Sequence, residues 1–380
     1  MDITIFQYER LTGYDTFVFS VAKALRRKHH TVKIVTSDQL PLVGTRQIFS
    51  HAKVASLLSQ CSWIELPFLR LFPYPKSFDI LRQILASSNI IYVKNELFDL
   101  IPVLAASRSA RPPIICGIHT ALSYANVRSL RALFHNSLYR SILYKKLLSS
   151  CKIIHVINRS DGLSLGRMGI DSRKLRFLPL WIDTERYRPS PSRVIDQRFR
   201  VLYVGAIDSR KGIDVFLGSI KRIHVQDPGA SRKIVFSVVG TGPLAPSVRE
   251  AAARYPNVLY SESVGDMVEE YNRQDLVVVP SRGETFSYVT LEALSCGVPV
   301  IASSVPGPTS MIRHGRTGLF VPPGDMDALA KAILRMYQTW MSHSEYEEVR
   351  SECRRSALEK YSEESVTASL DRMFADATYG

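Results

Sequence analysis

The chain has no run of about 18 apolar residues, so the sequence offers no bilayer-spanning helix. Its five cysteines, Cys61, Cys116, Cys151, Cys296 and Cys353, are odd in number, scattered, and without a C-x-x-C pair. That pattern argues against a disulfide scaffold or a structural zinc cluster and fits a reducing compartment. The opening residues, Met1 to Phe6, lack the basic-then-apolar order of a secretory signal and read as a strand. No low-complexity tract or short internal repeat is present. No helix-turn-helix, zinc finger or aromatic-basic ribonucleoprotein motif occurs, which speaks against nucleic acid as the partner. What remains is a 380-residue chain, 46% hydrophobic and 22% charged. That is too long for one hydrophobic core, and two domains in an intracellular protein are expected.

Acidic residues are missing from one region. Residues 101–150 carry seven Lys/Arg and no Asp/Glu. Residues 1–200 hold 30 basic against 13 acidic side chains, and residues 201–380 hold 19 against 22. The formal charge of +14 is therefore a property of the first half, suited to an anionic lipid surface or a phosphorylated substrate. Two stretches point to lipid. Residues 127–150 interleave Arg128, Arg131, Arg140, Lys145 and Lys146 with leucines, Phe134 and tyrosines, a pattern that lies at a membrane interface or packs as a core helix with a basic edge. Trp63 to Tyr74 reads as an apolar aromatic loop too broken by proline for a strand.

Short β-branched runs alternate with helical patterns from end to end, the mark of βαβ units and parallel sheets. Strands are expected at Ile3–Gln7, Val32–Thr36, Ile90–Val93, Ile114–Gly117 and Lys152–Ile157. After a break at Pro189-Ser190-Pro191-Ser192, they resume at Arg200–Val204, Ile234–Val239, Leu276–Val279, Val298–Ile301 and Gly318–Val321. The expected organisation is a first Rossmann-like domain over 1–190 and a second over 191–360. A terminal helix over 361–380 would pack back on the first. Two doubly wound α/β domains facing across a cleft would share one site at the carboxyl ends of their strands.

The chemistry-bearing residues cluster at those strand ends. Glu284 lies in the loop after Leu276–Val279, and Glu292 lies about one and a half turns into the following helix. Something under ~12 Å of rise separates them, about the span from a sugar through a diphosphate to a ribose. The helix mouth between them offers free N–H groups to phosphate oxygens. Acids alone would repel a diphosphate, and Arg210 and Lys211, opening the helix after Val201–Gly205, supply positive charge. Gly240 and Gly242, at the end of the next strand, let backbone approach a ligand. Each feature is weak alone, since helix-opening lysines are usually solvated and G-x-G turns are usually turns. Their order, each at a strand end, is the informative part.

With these residues in view, the chain resembles the family 4 glycosyltransferases of GT-B fold. The likeness runs from Val201–Gly205 through Lys211-Gly212, Gly240-Thr241-Gly242-Pro243 and Pro280-Ser281. It continues through the Glu284/Glu292 pair, Gly297-Val298-Pro299-Val300, His314 to Gly318, and Val321 to Asp325. Upstream, Trp181 to Pro189 is similar to the segment before the family's domain boundary. The resemblance implies a retaining transfer of sugar from a nucleoside-diphosphate sugar, with no cofactor and no obligatory metal. It assigns donor-sugar hydroxyls to Glu284, ribose to Glu292, sugar and phosphate contacts to the backbone at Phe286 and Ser287, and the departing diphosphate to Lys211. His119 matches the family's first-domain histidine near the reacting sugar, and Gly13 lies on the acceptor side. Departures occur at Ala206, where the family usually has arginine, at Ser287 in place of glycine, and near Ser310 in place of a glutamate.

The acceptor is expected to be a lipid-linked molecule or a glycan at the cytoplasmic membrane face. An anionic surface would be met through residues 127–150. The alternatives are a sugar-nucleotide epimerase or hydrolase on the same fold, and a non-catalytic nucleotide-sugar-binding subunit.

Overall fold

A computed structural model describes residues 1–7, 16–37, 62–66, 68–69, 72–73, 75–94, 99–107, 112–119, 137–191 and 197–379. Gly13 and residues 127–136 lie outside the described residues.

The chain divides into two compact units. The first comprises the described residues up to Leu180 together with Thr367 onward, and the second runs from Trp181 to Val366. In the first unit the strands are β1 (Asp2–Gln7), β2 (Thr31–Ser37), β3 (Ser62–Leu66), β4 (Phe68–Leu69), β5 (Phe72–Pro73), β6 (Ile90–Val93), β7 (Ile114–Ile118), β8 (Ile153–Val156) and β9 (Leu175–Phe177). Seven of them build a sheet in the order β3-β2-β1-β6-β7-β8-β9, with every pairing parallel, and β4 and β5 stand apart from it as a two-stranded pair. The second unit contains β10 (Phe199–Val204), β11 (Ile234–Val239), β12 (Val258–Ser261), β13 (Leu276–Val279), β14 (Val300–Ser303) and β15 (Gly318–Val321). These form a parallel sheet in the order β12-β11-β10-β13-β14-β15. Each unit therefore winds outward from its first strand in one direction, then restarts on the other side. This is the doubly wound order whose reversal creates a binding crevice at the strand ends.

The central strands are buried end to end, as in Leu276–Val279 and Ile234–Val239, because helices cover both faces of a parallel sheet. That burial explains why they read as continuous apolar runs. The helix Thr16–Arg27 buries Val18, Val21, Ala22 and Leu25, at the spacing of one helical face. The last helix, Glu363–Tyr379, presents Leu370, Met373, Phe374 and Ala377 as a buried stripe. Its later half is held in the first unit by a hydrogen-bonded pair between His30 Nε2 and Asp371 at 2.8 Å and by Phe374 stacked on Tyr92.

Three expectations need correction. Trp63 to Tyr74 is not a plain loop: Ser62–Leu66 is the edge strand β3, paired with β2 from Lys33↔Ser62 to Ser37↔Leu66. Two-residue strands β4 and β5 pair antiparallel just beyond it. The strand ends before Pro67, so the prolines do not interrupt it. Second, β14 starts at Val300, not Val298. Gly297, at φ 71°, ends the helix Tyr288–Ser295, and the amide of Val298 donates back to Ala293 O at 2.8 Å. Val298 thus completes a helix-capping turn, and Pro299 has no amide to give a ladder. Third, the expected set lacks the edge strands β9 and β12, whose residues are mostly half-buried or exposed and so form no apolar run.

Candidate functional site

In the second unit, β10 and β13 flank the point where strand order reverses, and the loops leaving their carboxyl ends carry the expected residues. After β10, Asp208 Oδ1 accepts the Lys211 amide at 2.7 Å, which folds the loop so that Lys211 lies just before the helix Ile213–Gln226. Gly212 caps that helix at φ 75°. A Cβ there would lie 2.0 Å from the Pro280 carbonyl oxygen, so glycine is required both by conformation and by the close approach of the loop after β13. Arg282 fastens the two loops further. Its amide donates to Arg210 O at 2.9 Å, and its guanidinium donates to both Asp214 oxygens at 2.8 and 2.7 Å.

Those constraints bring Lys211 Nζ to 2.6 Å from Glu284 Oε2. The carboxylate is 13% exposed and the lysine 26%. A charge-assisted hydrogen bond in such a half-buried setting holds two charges that a ligand must separate to use. Ser281 Oγ donates to the same carboxylate oxygen at 3.4 Å. The Glu284 backbone is fixed from behind, where the Gly307 amide donates to Glu284 O at 2.7 Å. A Cβ on Gly307 would crowd Glu284 O and Phe286 N at 3.0 Å.

Phe286 is buried and meets the Tyr288 ring edge-on. Ser287 is the N-cap of the helix Tyr288–Ser295, its Oγ accepting from the Thr290 amide at 3.2 Å. The serine that stands where the family usually has glycine thus does local capping work. Glu292, on this helix, accepts from Tyr271 at 2.7 Å and from Tyr187. Burial raises its carboxyl above the usual range, and the two tyrosine hydrogen bonds work against that rise. Gly240 (φ 145°) and Gly242 (φ 159°) pack on the turn after β10: Cβ atoms would fall 1.9 Å from Gly205 O and 2.5 Å from Ile207 O. Their role in the fold is this backbone contact. Arg210 lies 3.7 Å from Asp208 Oδ2, with 38% of its side chain exposed.

His119, after β7 in the first unit, joins a hydrogen-bonded cluster with Tyr92 and His155. Burial lowers its pKa well below the ordinary value, aided by His155 and Lys94. Of the expected residues, then, Lys211 and Glu284 touch. Arg210, Phe286 and Ser287 lie on their loops, while Glu292 has its own tyrosine partners. Sequence reading missed Tyr271, Tyr187, Gly307, Tyr92 and His155. Tyr187 lies within the stretch quoted for the resemblance, and Gly307 is marked by its place in Pro306-Gly307-Pro308. Tyr271 and Tyr92 carry no local signal.

Comparison with known proteins agrees with this architecture. The family described as Glycosyltransferase Family 4 matches residues 11–186, and the family described as Glycosyl transferases group 1 matches residues 198–339. A D-inositol 3-phosphate glycosyltransferase of Geodermatophilus obscurus is 32% identical over 186 residues, 44% of this chain and 41% of that protein. The capsular polysaccharide biosynthesis glycosyltransferase CapM of Staphylococcus aureus is 26% identical over 63% of this chain and 59% of its own length. The aligned stretches thus span less than two thirds of either relative. Among solved structures, Anabaena Alr3699/HepE with UDP and glucose superposes with a TM-score of 0.76 at 16% identity, covering 99% of both chains. Sucrose-phosphate synthase from Thermosynechococcus elongatus gives 0.76 at 20% identity, covering 99% of this chain and 98% of the other. Both are likenesses of fold. With one family model over each of its two units, the chain belongs to the family 4 glycosyltransferases of GT-B fold.

Proposed function

We propose that the protein is a retaining glycosyltransferase that takes a nucleoside-diphosphate sugar as donor. The observation that carries this reading is the Lys211–Glu284 contact at 2.6 Å, built from the two strands that flank the strand-order reversal. In this reading the donor's diphosphate draws Lys211 away from Glu284, and the freed carboxylate accepts hydroxyls of the sugar. The mouth of the helix Tyr288–Ser295, with the Phe286 and Ser287 backbone, receives phosphate oxygens, and Arg210 adds positive charge. Glu292 accepts the ribose hydroxyls.

The bond from the anomeric carbon to the diphosphate oxygen breaks. The acceptor hydroxyl oxygen bonds to that carbon on the face the diphosphate leaves, and the acceptor proton passes to the departing phosphate oxygen. Lys211 stabilises the charge that develops there, so no resident metal is required. His119 is the first-domain residue assigned to the reacting sugar. That Anabaena Alr3699/HepE is described in complex with UDP-glucose supports a nucleotide-sugar donor. A thermal-shift screen of nucleoside diphosphates and their sugars tests the reading. Stabilisation by one base's diphosphate and its sugar is expected, and no stabilisation by any of them would overturn it.

The acceptor is proposed to be a lipid-linked molecule or glycan at an anionic membrane face. Among the described residues no helix is long and apolar enough to cross a membrane. The described part of the basic segment, residues 137–150, contains the helix Ile142–Ser149, which sinks Tyr144 and Leu148 into the core. It leaves Ile142 75% and Leu143 61% exposed, beside exposed Arg140, Lys145 and Lys146. Two apolar side chains ringed by cations match an anionic lipid surface. Wild-type protein is expected to float with phosphatidylglycerol vesicles and not with phosphatidylcholine vesicles. The Ile142→Asp/Leu143→Asp double variant should bind roughly tenfold more weakly or worse. Equal flotation with both lipids, or an unaffected double variant, would remove the membrane assignment.

A further inference from the structure

Tyr187, one of the two tyrosines that donate to Glu292, stands outside every strand and helix of the second unit. Its hydroxyl can hold the carboxylate only if the segment around it is fixed against the helix Tyr288–Ser295. Three sets of bonds do this. Asp183 folds the segment: its Oδ1 accepts the amides of Glu185 at 3.1 Å and Arg186 at 3.0 Å, and its carbonyl accepts the amide of Tyr187 at 2.9 Å. Arg354 reaches in from the helix His343–Tyr361. Its Nη1 donates to Tyr187 O at 2.8 Å, to Ser295 O at 3.1 Å and to Ser295 Oγ at 3.0 Å, and its Nη2 donates to Thr184 O at 3.0 Å. Ser295 Oγ in turn donates to Tyr187 O at 2.6 Å. Further along, the buried Asn272, next in sequence to Tyr271, donates through Nδ2 to Arg188 O at 3.0 Å and accepts the Ser190 amide at 2.7 Å.

The Arg354 guanidinium therefore joins carbonyls of two segments. Ser295 O is among the last carbonyls of its helix, which have no partner within it, and a cation at a helix C-terminus is favourable. Capping would need that carbonyl alone. Thr184 O and Tyr187 O lie on the other segment, and a planar fork with donors on separate nitrogens spans both at once. Ser295 lies three residues after Glu292 on the same helix, about one turn away. The clamp thus sets the separation between the Tyr187 backbone and the turn that carries Glu292. A ribose presents two adjacent hydroxyls, and a carboxylate accepts both only when its oxygens face them together.

We propose that Arg354 is a positioning residue for the donor's ribose, holding Tyr187 against Glu292 so that the carboxylate keeps one orientation, with Asn272 fixing the chain beyond it. This inference rests on the proposed assignment of ribose to Glu292, and it adds the residue that aims that carboxylate.

Two measurements on the full-length chain read the clamp in Arg354→Lys, which keeps the charge and loses the fork. Glu292 faces Tyr271, Tyr187, Arg186 and the Cys296 thiol, none of which this variant alters. Without ligand, the δ-carbon NMR titration of Glu292, identified by its loss in Glu292→Gln, should move to higher pH than in wild type, because a hydrogen bond that favours the carboxylate is weakened. Tyr187→Phe should move it the same way. With ligand, calorimetry uses whichever of UDP, GDP and ADP binds wild type, together with its 2′,3′-dideoxy form. The variant should lose about tenfold in affinity for the diphosphate, the worth of one hydrogen bond, and nothing for the dideoxy form. Ser295→Ala, which removes the hydroxyl between Arg354 and Tyr187 O, should give the same selective loss if Arg354→Lys does not fold.

An unmoved titration in Arg354→Lys, or an equal loss for both forms of the nucleotide, would overturn the proposal. The first would leave Tyr187 on Glu292 without the clamp, and the second would make Arg354 a residue of general stability. Glu292→Gln separates the two claims. If it binds both forms in the wild-type proportion, or if no diphosphate binds wild type, the ribose assignment fails, and the titration of the ligand-free protein still decides whether Arg354 positions Glu292.

Discussion

Lys211→Ala is expected to lower kcat for sugar transfer by on the order of 10²–10³-fold while leaving the fold intact, because the charge it supplies is used most when the diphosphate departs. Its side chain is 26% exposed and pairs with Glu284, so truncation leaves the core untouched. The Lys211 amide bond to Asp208 and the Gly212 cap survive the change. Lys211→Arg should rescue poorly: a planar fork cannot take the place of a compact ammonium at 2.6 Å from one carboxylate oxygen without moving the loop. Steady-state kinetics against donor concentration checks this. A loss confined to KM would mean that Lys211 binds the ground state only.

The second large effect concerns Glu292. Glu292→Gln is expected to weaken donor binding by on the order of 100-fold, since hydrogen bonds to a charged acceptor contribute about 1.5–3 kcal/mol each and a ribose offers two hydroxyls. The raised pKa of Glu292 fixes the sign of two accompanying effects. A carboxyl whose folded pKa lies above its unfolded value binds more protons in the native state, so the native state loses stability as pH rises across that window. The glutamine variant, free of the buried charge, should therefore be no less stable than wild type at neutral pH, with Tyr271 still donating to an oxygen at that position. In the wild type, kcat/KM for the donor should fall on the acid side at a pH above the ordinary carboxylate range, as Glu292 is protonated and ceases to accept. That limb should vanish in Glu292→Gln. A variant that loses stability and donor affinity together would mark Glu292 as a structural residue.

The parts of the fold legible in the sequence were those with both faces buried. β6, β11 and β13 coincide with expected runs because continuous apolar stretches arise where helices cover a strand on each side. Of the edge strands, β15 coincides as well, while β3, β9 and β12 do not. Ser62–Leu66, one side of which has no neighbour in the sheet, shows no period-two alternation within its aromatic, proline-flanked stretch and reads as a loop. Lys211 and Glu284 were legible because strand-end loops in parallel sheets are short and carry their function in sequence order.

The partners of those residues were not. Tyr271 reaches Glu292 from the helix Met267–Asn272, and Tyr92 reaches His155 across a strand. Such meetings are set by sheet order and register, which no local pattern encodes. Gly117 illustrates the difference. In sequence it is an ordinary glycine ending an expected strand; in the fold it is the space through which three side chains join.

Titration calorimetry of wild type and Glu284→Gln, with a nucleoside diphosphate and with its sugar, bears most directly on the Lys211–Glu284 pair as the donor grip. Removing the carboxylate charge releases Lys211 from its partner while depriving the sugar of its acceptor. The variant should bind the diphosphate at least as tightly as wild type does, and the sugar-bearing donor at least tenfold more weakly relative to it. An equal loss for both ligands, or no change for either, would contradict a site in which these two side chains part to hold the two halves of one donor.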